Sequence, residues 1–299
     1  MIGTPPCILA CGEVLWDMFP QGPRFGGAPA NFACHAALLG ARVSIFSAVG
    51  NDTRGSQALG ILKRFGVDTS LIKTIPNATT GTVGVSVDPA GKPTFKIHAD
   101  SAWDQLAWAA ENAHLIEEFD AVYFGTLAQR SEPSRTAIRN VLLAAKARGT
   151  PRVLDINLRS PFYDDALLRD SIALASVVKL SDEEFPEVAA ACAIPMADSH
   201  EATLEALRSS FSLDYIAMTR GANGALLISR AGAADQRGMP TTVVDTVGAG
   251  DAFTAALVLG LLRGRPDFEI VEFACETGSA ACRHAGGVPE HGGGASPSH

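Results

Sequence analysis

Asp251 follows Gly248-Ala249-Gly250 and precedes a strongly apolar stretch, Ala252 to Leu262. Small residues at a helix N-terminus let backbone N–H groups approach an anion, and the helix dipole favours negative charge there. The segment reads as a phosphate site. A carboxylate in the first turn of that helix would be repelled by phosphate, unless its task is to take a proton from an attacking hydroxyl. The alternative is that Asp251 only caps the helix and the glycines only make a tight turn.

Two further segments could touch a ligand. Gly26-Gly27-Ala28-Pro29-Ala30-Asn31 opens a helix after a glycine pair, which permits close backbone approach. Asn31 offers a donor and an acceptor on the first turn; the alternative is a helix cap. Gly12-Glu13-Val14-Leu15-Trp16-Asp17 carries acidic groups just past the first strand, where open α/β sheets bind ligands. A carboxylate there can accept hydrogen bonds from two sugar hydroxyls; a solvated loop carboxylate is the alternative.

The elements that must hold these residues alternate. CILACGEVL (7–15), Val43 to Val49, AVYFGTL (121–127), RVLDIN (152–157), SVVKLS (176–181), YIAMT (215–219) and ALLIS (225–229) read as strands. Helices are expected over Ala28 to Leu39, Arg54 to Phe65, Ser134 to Arg148, from Asp182, and near 251–263 and 268–283. Strand and helix in this alternation predict an α/β fold with a mainly parallel sheet covered on both faces. Thr79 to Asp100 breaks the rule, with two strands around a turn at Asp88-Pro89-Ala90-Gly91. Together with an irregular stretch, Trp16 to Phe25, it is expected to form a small β lid, from about 13–27 and 79–104. The Gly/Ser/Pro-rich end, 292–299, reads as disordered.

Composition excludes other classes. The 299 residues carry 24 Lys+Arg and 32 Asp+Glu, a net charge of −8, which argues against a nucleic-acid surface. A hydrophobic fraction of 47% excludes wholesale disorder. The apolar runs are too short to span a membrane, and there is no secretory leader, so a cytoplasmic protein is expected. The six cysteines lack Cys-x-x-Cys spacing and read as buried thiols, and the histidines lack metal-ligand spacing. The Gly91-Lys92 pair is followed by Pro93, so there is no P-loop. Phe253 stands where a dinucleotide fingerprint needs its third glycine, which argues against a dehydrogenase.

The segments Gly26 to Asp52 (GGAPANFACHAALLGARVSIFSAVGND) and Asp245 to Phe253 (DTVGAGDAF) resemble the two signatures of the PfkB, or ribokinase-like, carbohydrate kinases. Gly12, Glu13, Leu15, Asp17 and Pro20 match the opening pattern of the bacterial fructokinases in that family. The resemblance spans roughly residues 7 to 290. It implies a ribokinase-like three-layer α/β/α sandwich in one domain, with a β lid. It implies transfer of the ATP γ-phosphoryl to a primary sugar hydroxyl, with fructose first, and 2-keto-3-deoxygluconate or a pentose as alternatives. A sugar- or nucleotide-binding protein without catalysis is the alternative from another class, and intact Asp251 weighs against it.

Site roles follow from the same resemblance. Asp251 is the general base, and Gly248, Ala249 and Gly250 supply the anion hole. Asp17, Gly26, Gly27, Asn31, Trp103, Asp104 and Arg159 of Asp155-x-Asn157-x-Arg159 are expected on the sugar. Lys179, Ser181, Glu184, Thr219, Gly221, Gly224, Gly248 and Gly250 are expected on the nucleotide. Cys275 to Ser279 are expected near the adenine. Ser181 replaces the asparagine common in the family's Asn-x-x-Glu, with Glu184 retained for Mg2+ through water. A potassium ion is expected at Asp245 and the loop Arg283 to Gly287. Lid strands that pair between protomers in several members make a homodimer an expectation.

Overall fold

The computed structural model describes residues 4–87 and 93–289; the turn expected at Asp88 to Gly91 and the expected disordered end lie outside them. The chain opens with strand β1 (Cys7–Cys11), followed by a hairpin of β2 (Leu15–Phe19) and β3 (Gly22–Gly26). Then come α1 (Ala28–Leu38), β4 (Arg42–Gly50), α2 (Thr53–Arg64), β5 (Ile72–Ile75), β6 (Gly81–Val87) and β7 (Pro93–Ile97). The middle holds β8 (Ala121–Gly125), α3 (Glu132–Arg148), β9 (Arg152–Asp155), α4 (Asp165–Leu174), β10 (Val177–Ser181) and α5 (Phe185–Ala191). The chain continues with α6 (His200–Ser210), β11 (Tyr215–Thr219), β12 (Ala225–Ser229), β13 (Gly232–Gln236), α7 (Ala249–Leu262) and α8 (Asp267–Ala281).

Local chemistry sets several of these boundaries. The side chains of Asp52, Asp164 and Ser199 accept the N–H of the residue three positions on, at 2.7, 2.7 and 3.1 Å, and so start α2, α4 and α6. The helix α7 has no polar face, and every residue from Asp251 to Gly260 is buried. A helix apolar all round must lie inside, and α7 packs between α1 and α8.

Nine strands form one sheet in the order β13-β12-β11-β10-β9-β8-β1-β4-β5. Pairing is parallel from β11 through to β5 and antiparallel for β11–β12 and β12–β13. One apolar cluster covers each face, and in one of them Phe32 stacks on Tyr123 with centroids 4.0 Å apart. Successive connections leave β1 in opposite directions, toward β4 on one side and β8 on the other. That is the switch point where α/β sheets open a ligand crevice beyond the carboxyl ends of the strands.

A second sheet, β3-β2-β6-β7, stands apart. The expected first strand, 7–15, is two strands: β1 ends at Cys11 and β2 begins at Leu15. The stretch Trp16 to Phe25 is not irregular; it is the β2–β3 hairpin, and β2 also pairs in parallel with β6. The apolar alternation there is masked because Asp17 shares the inward face of β2 with Leu15 and Phe19. The helix expected at Asp182 starts instead at Phe185, after a turn. Six free cysteines are present; five are buried, and Cys282 is half-buried.

Candidate active site

Two clefts meet at the carboxyl ends of the central strands. The first, about 640 Å³, lies between the two sheets. Its walls include Glu13 after β1, Asp17 on β2, Asn31 on α1, Asn157 and Arg159 after β9, Lys179 on β10, and Asp251 on α7. The second, about 560 Å³, lies between the turn after β11 and the helices α7 and α8, and Thr219, Gly221, Gly224, Cys275, Gly278 and Ser279 line it. Thr246 and Gly250 belong to both clefts, so the loop before α7 is their common wall. No helix among the described residues is long and apolar enough to cross a membrane.

The start of α7 is built around Gly248. Its φ of +81° lies in the left-handed region, and a Cβ there would stand 2.2 Å from the carbonyl oxygen of Gly287. Only glycine meets both demands. The Ala249 N–H is directed at the Thr246 carbonyl at 3.3 Å, whereas the N–H groups of Gly250 and Asp251 carry no backbone acceptor. The Gly248 N–H likewise carries no backbone acceptor, so Gly248 and Gly250 of the expected set keep free donors, Ala249 does not, and Asp251 adds one.

Asp251 is 8% exposed, and its Oδ2 accepts a hydrogen bond from Asn31 Nδ2 at 2.8 Å. Burial, reinforced by the nearby Asp155 charge, pushes its pKa up to about 7; Asn31, Lys179 and Arg159 oppose the rise. Asn31 is thus a bond partner of the carboxylate as well as a cleft wall, and its Oδ1 is buried without a partner.

Asp155 and Lys179 form the charged floor. Lys179 Nζ lies 3.2 Å from Asp155 Oδ1, and Thr254 Oγ1 donates to Asp155 Oδ2 at 3.0 Å. Burial alone would depress the Lys179 ammonium, but Asp155, Glu184 and Asp251 outweigh it and hold its pKa above the ordinary lysine value. A Cβ added at Gly250 would sit 3.1 Å from Lys179 Nζ, so the ammonium lies against the start of α7.

Glu13 was legible only as part of a motif. Its side chain is buried; Oε1 accepts from the Ala28 N–H at 3.3 Å, and Oε2 has no partner. Burial pushes its pKa up to about 7 and that of Asp17 up to about 6. Arg159 pulls down Glu13, Asp17 and Asp251 alike, and all four residues line the first cleft. Asn157, at φ +41°, makes the left-handed turn between β9 and Arg159.

Several expected site residues lie elsewhere. Trp103 is fully buried and Asp104 binds Arg130 through both carboxylate oxygens; Trp103 stacks under the same guanidinium, 4.0 Å from its ring centroid. Neither lines a cleft, because the segment after β7 turns into the core. Gly26 lies behind Asp17 rather than in the cleft. Both oxygens of Glu184 accept backbone N–H groups, from Leu158 at 2.7 Å and Ser181 at 2.8 Å, so Glu184 and Ser181 shape two loops while Glu183 faces the cleft. Arg220, just after β11, pairs with Asp235 on the edge strand β13. No group of three His, Cys, Asp or Glu among the described residues could cage a metal.

The sequence profile of the pfkB family carbohydrate kinases matches residues 21–290. This chain belongs to that family. It is a sugar phosphotransferase of the ribokinase-like fold. The fructokinase of Klebsiella pneumoniae is 30% identical over 271 residues, which cover 87% of this chain and 86% of that one. The fructokinase of Escherichia coli is 29% identical over 260 residues, 84% of this chain and 82% of its own length. A crystal structure of a double mutant of fructokinase from Vibrio cholerae O395, with fructose, ADP and potassium bound, superposes with a TM-score of 0.79. It is 26% identical and covers 94% of each chain. In this pfkB kinase the two clefts share one wall, the loop before α7.

Proposed function

We propose that this kinase transfers the γ-phosphoryl of ATP to the primary hydroxyl of D-fructose, giving ADP, fructose 6-phosphate and a proton. The observation that carries the proposal is Asp251, a carboxylate with a raised pKa that lines the first cleft next to Gly250, which both clefts share, beside free first-turn N–H groups. The sugar would occupy the first cleft, against Asp17, Asn31 and Arg159, and the nucleotide the second. The hydroxyl oxygen attacks the γ-phosphorus as Asp251 accepts its proton, and the bond to the ADP oxygen breaks. The N–H groups of Gly250 and Asp251 and the Lys179 ammonium offset charge on the transferring group. The small sheet would close over the cleft and keep water from the phosphoryl.

Magnesium would enter with the nucleotide and neutralise its phosphate charge. Glu183 is the cleft carboxylate placed to hold one of its waters, since the oxygens of Glu184 are already engaged.

Charge favours a neutral sugar. Glu13, Asp17 and Asp251 share the first cleft with one Arg159, and Asp155 cancels Lys179. A sugar acid such as 2-keto-3-deoxygluconate would bring a fourth carboxylate into that set. An ADP-release assay with ATP and Mg2+ tests this across fructose, ribose, 2-keto-3-deoxygluconate, glucose and tagatose. The expected result is a kcat/KM for fructose at least ~10-fold above every other sugar. A higher value for the acid or for ribose overturns the fructose assignment.

The pH profile follows from the same group. A base works only when ionised, so kcat/KM is expected to rise with pH and to level off above about 7, the Asp251 value. Rates measured from pH 5 to 8.5 check this. Glu13→Gln should leave the main rise near 7, because Glu13 is not the base.

A further inference from the structure

We infer that Arg24, carried on the small sheet, supplies the positive charge that Asp245 needs, and that this kinase works without a monovalent cation. The inference rests on the reading of the loop before α7 as the anion site. The family resemblance and the potassium bound in the Vibrio cholerae fructokinase raise the expectation of such an ion. The Asp245 side chain in this chain does not fit it.

Asp245 lies three residues before Gly248, in the loop that both clefts share. Its Oδ1 accepts the Val247 N–H at 3.1 Å, and its Oδ2 accepts the Gly286 N–H at 2.9 Å and Arg24 Nη1 at 3.1 Å. Three hydrogen-bond donors converge on this carboxylate. A potassium ion needs oxygen lone pairs facing it; here it would meet N–H hydrogens and a guanidinium of its own sign. The charge of Asp245 is already balanced inside the chain.

The guanidinium is held in place from its own sheet. It lies 4.7 Å from the centroid of Phe19, and Arg24 pairs in register with Asp17 across β2 and β3. The Arg24–Asp245 pair is the ion pair among the described residues that ties the small sheet to the loop before α7. The partner loop is fixed as well: Gly287 presses on Gly248, and its carbonyl oxygen lies 2.9 Å from His35 Nε2. Closure of the small sheet would therefore bring the cation with it. This makes Arg24 a positioning residue, acting through Asp245 on Gly248 to Asp251.

The test compares the full-length chain with Arg24→Met in chloride salts of potassium, sodium and tetramethylammonium at equal ionic strength. Arg24 is on an edge strand and half-exposed, so the variant is expected to fold. Wild-type turnover should agree within ~2-fold across the three salts, while Arg24→Met should lose ~10-fold in tetramethylammonium and regain most of it in potassium. The thermal midpoint with ADP bound should rise with potassium for Arg24→Met and stay unchanged for the wild type. A wild type stimulated tenfold by potassium, or a variant that loses the same activity in every salt, overturns the inference. If no sugar in the panel is turned over, the proposed substrate fails, and the midpoints still decide the role of Arg24.

Discussion

Asp251→Asn is expected to lower kcat by ~10³-fold while sugar and nucleotide affinities stay within a few-fold. The amide keeps the shape of the side chain and can still accept the Asn31 hydrogen bond, but it cannot take the hydroxyl proton. Single-turnover rates and binding isotherms measure the two parts separately. A variant that retained turnover within a few-fold would remove Asp251 from the role of base.

The same substitution should make the protein more stable at alkaline pH. The folded-state pKa of Asp251 is raised from 3.8 to about 7 by burial. The folded chain therefore holds this proton more tightly than the unfolded chain. Stability falls as pH rises from about 4 to about 7, and the full penalty applies above that window. The ceiling is ~4 kcal/mol, and the opposing pull of Asn31, Lys179 and Arg159 is already contained in the value of about 7. Denaturant titrations at pH 8 and pH 4.5 should show the gain at the first and little at the second. A site that costs stability in its working protonation state is what a buried general base requires.

Lys179→Met is expected to be the most damaging single change to the fold of the site. Lys179 is the ammonium that neutralises Asp155, which is 1% exposed. Removing one partner of a buried ion pair costs ~3–5 kcal/mol, because the remaining charge is left without compensation. Asp155 would then take up a proton, so the loss should shrink as pH falls and grow as it rises. Activity should drop by ~10²-fold as well, since the ammonium lies against the first turn of α7, where the transferring charge develops. Thermal midpoints at pH 5 and pH 8 test the first part. Equal destabilisation at both values would show that Asp155 is not the group left bare.

Motifs with a local mechanism were readable in the chain. Gly248, Gly250 and Asp251 sit together at one helix start, and a helix start is written in consecutive residues. The α1–β4 pair is equally local, because an alanine-rich helix and a buried parallel strand announce themselves by composition. The errors arose where contacts are long-range. Trp103 and Asp104 are expected on the sugar from the family resemblance; Arg130, from the turn before α3, draws them into the core instead. Glu184 has the motif position of a metal ligand, but the backbone N–H of Leu158, 26 positions away, consumes one oxygen. The partnership of Asp245 with Arg24 spans 221 positions, and no local pattern could disclose it.

The amino-acid sequence by itself determined the α/β alternation, the glycine-rich helix start and the carboxylate at its first turn, because each depends on neighbours within a few residues. Tertiary structure alone decided which acids share a cleft. It joined Glu13, Asp17, Asn31, Asp155, Lys179 and Asp251 from six separate elements or loops, and it raised the Asp251 pKa to about 7 by burying it beside Asp155. The reason is electrostatic: a carboxylate's proton affinity depends on how much water and which charges surround it in space, and the chain order does not record that.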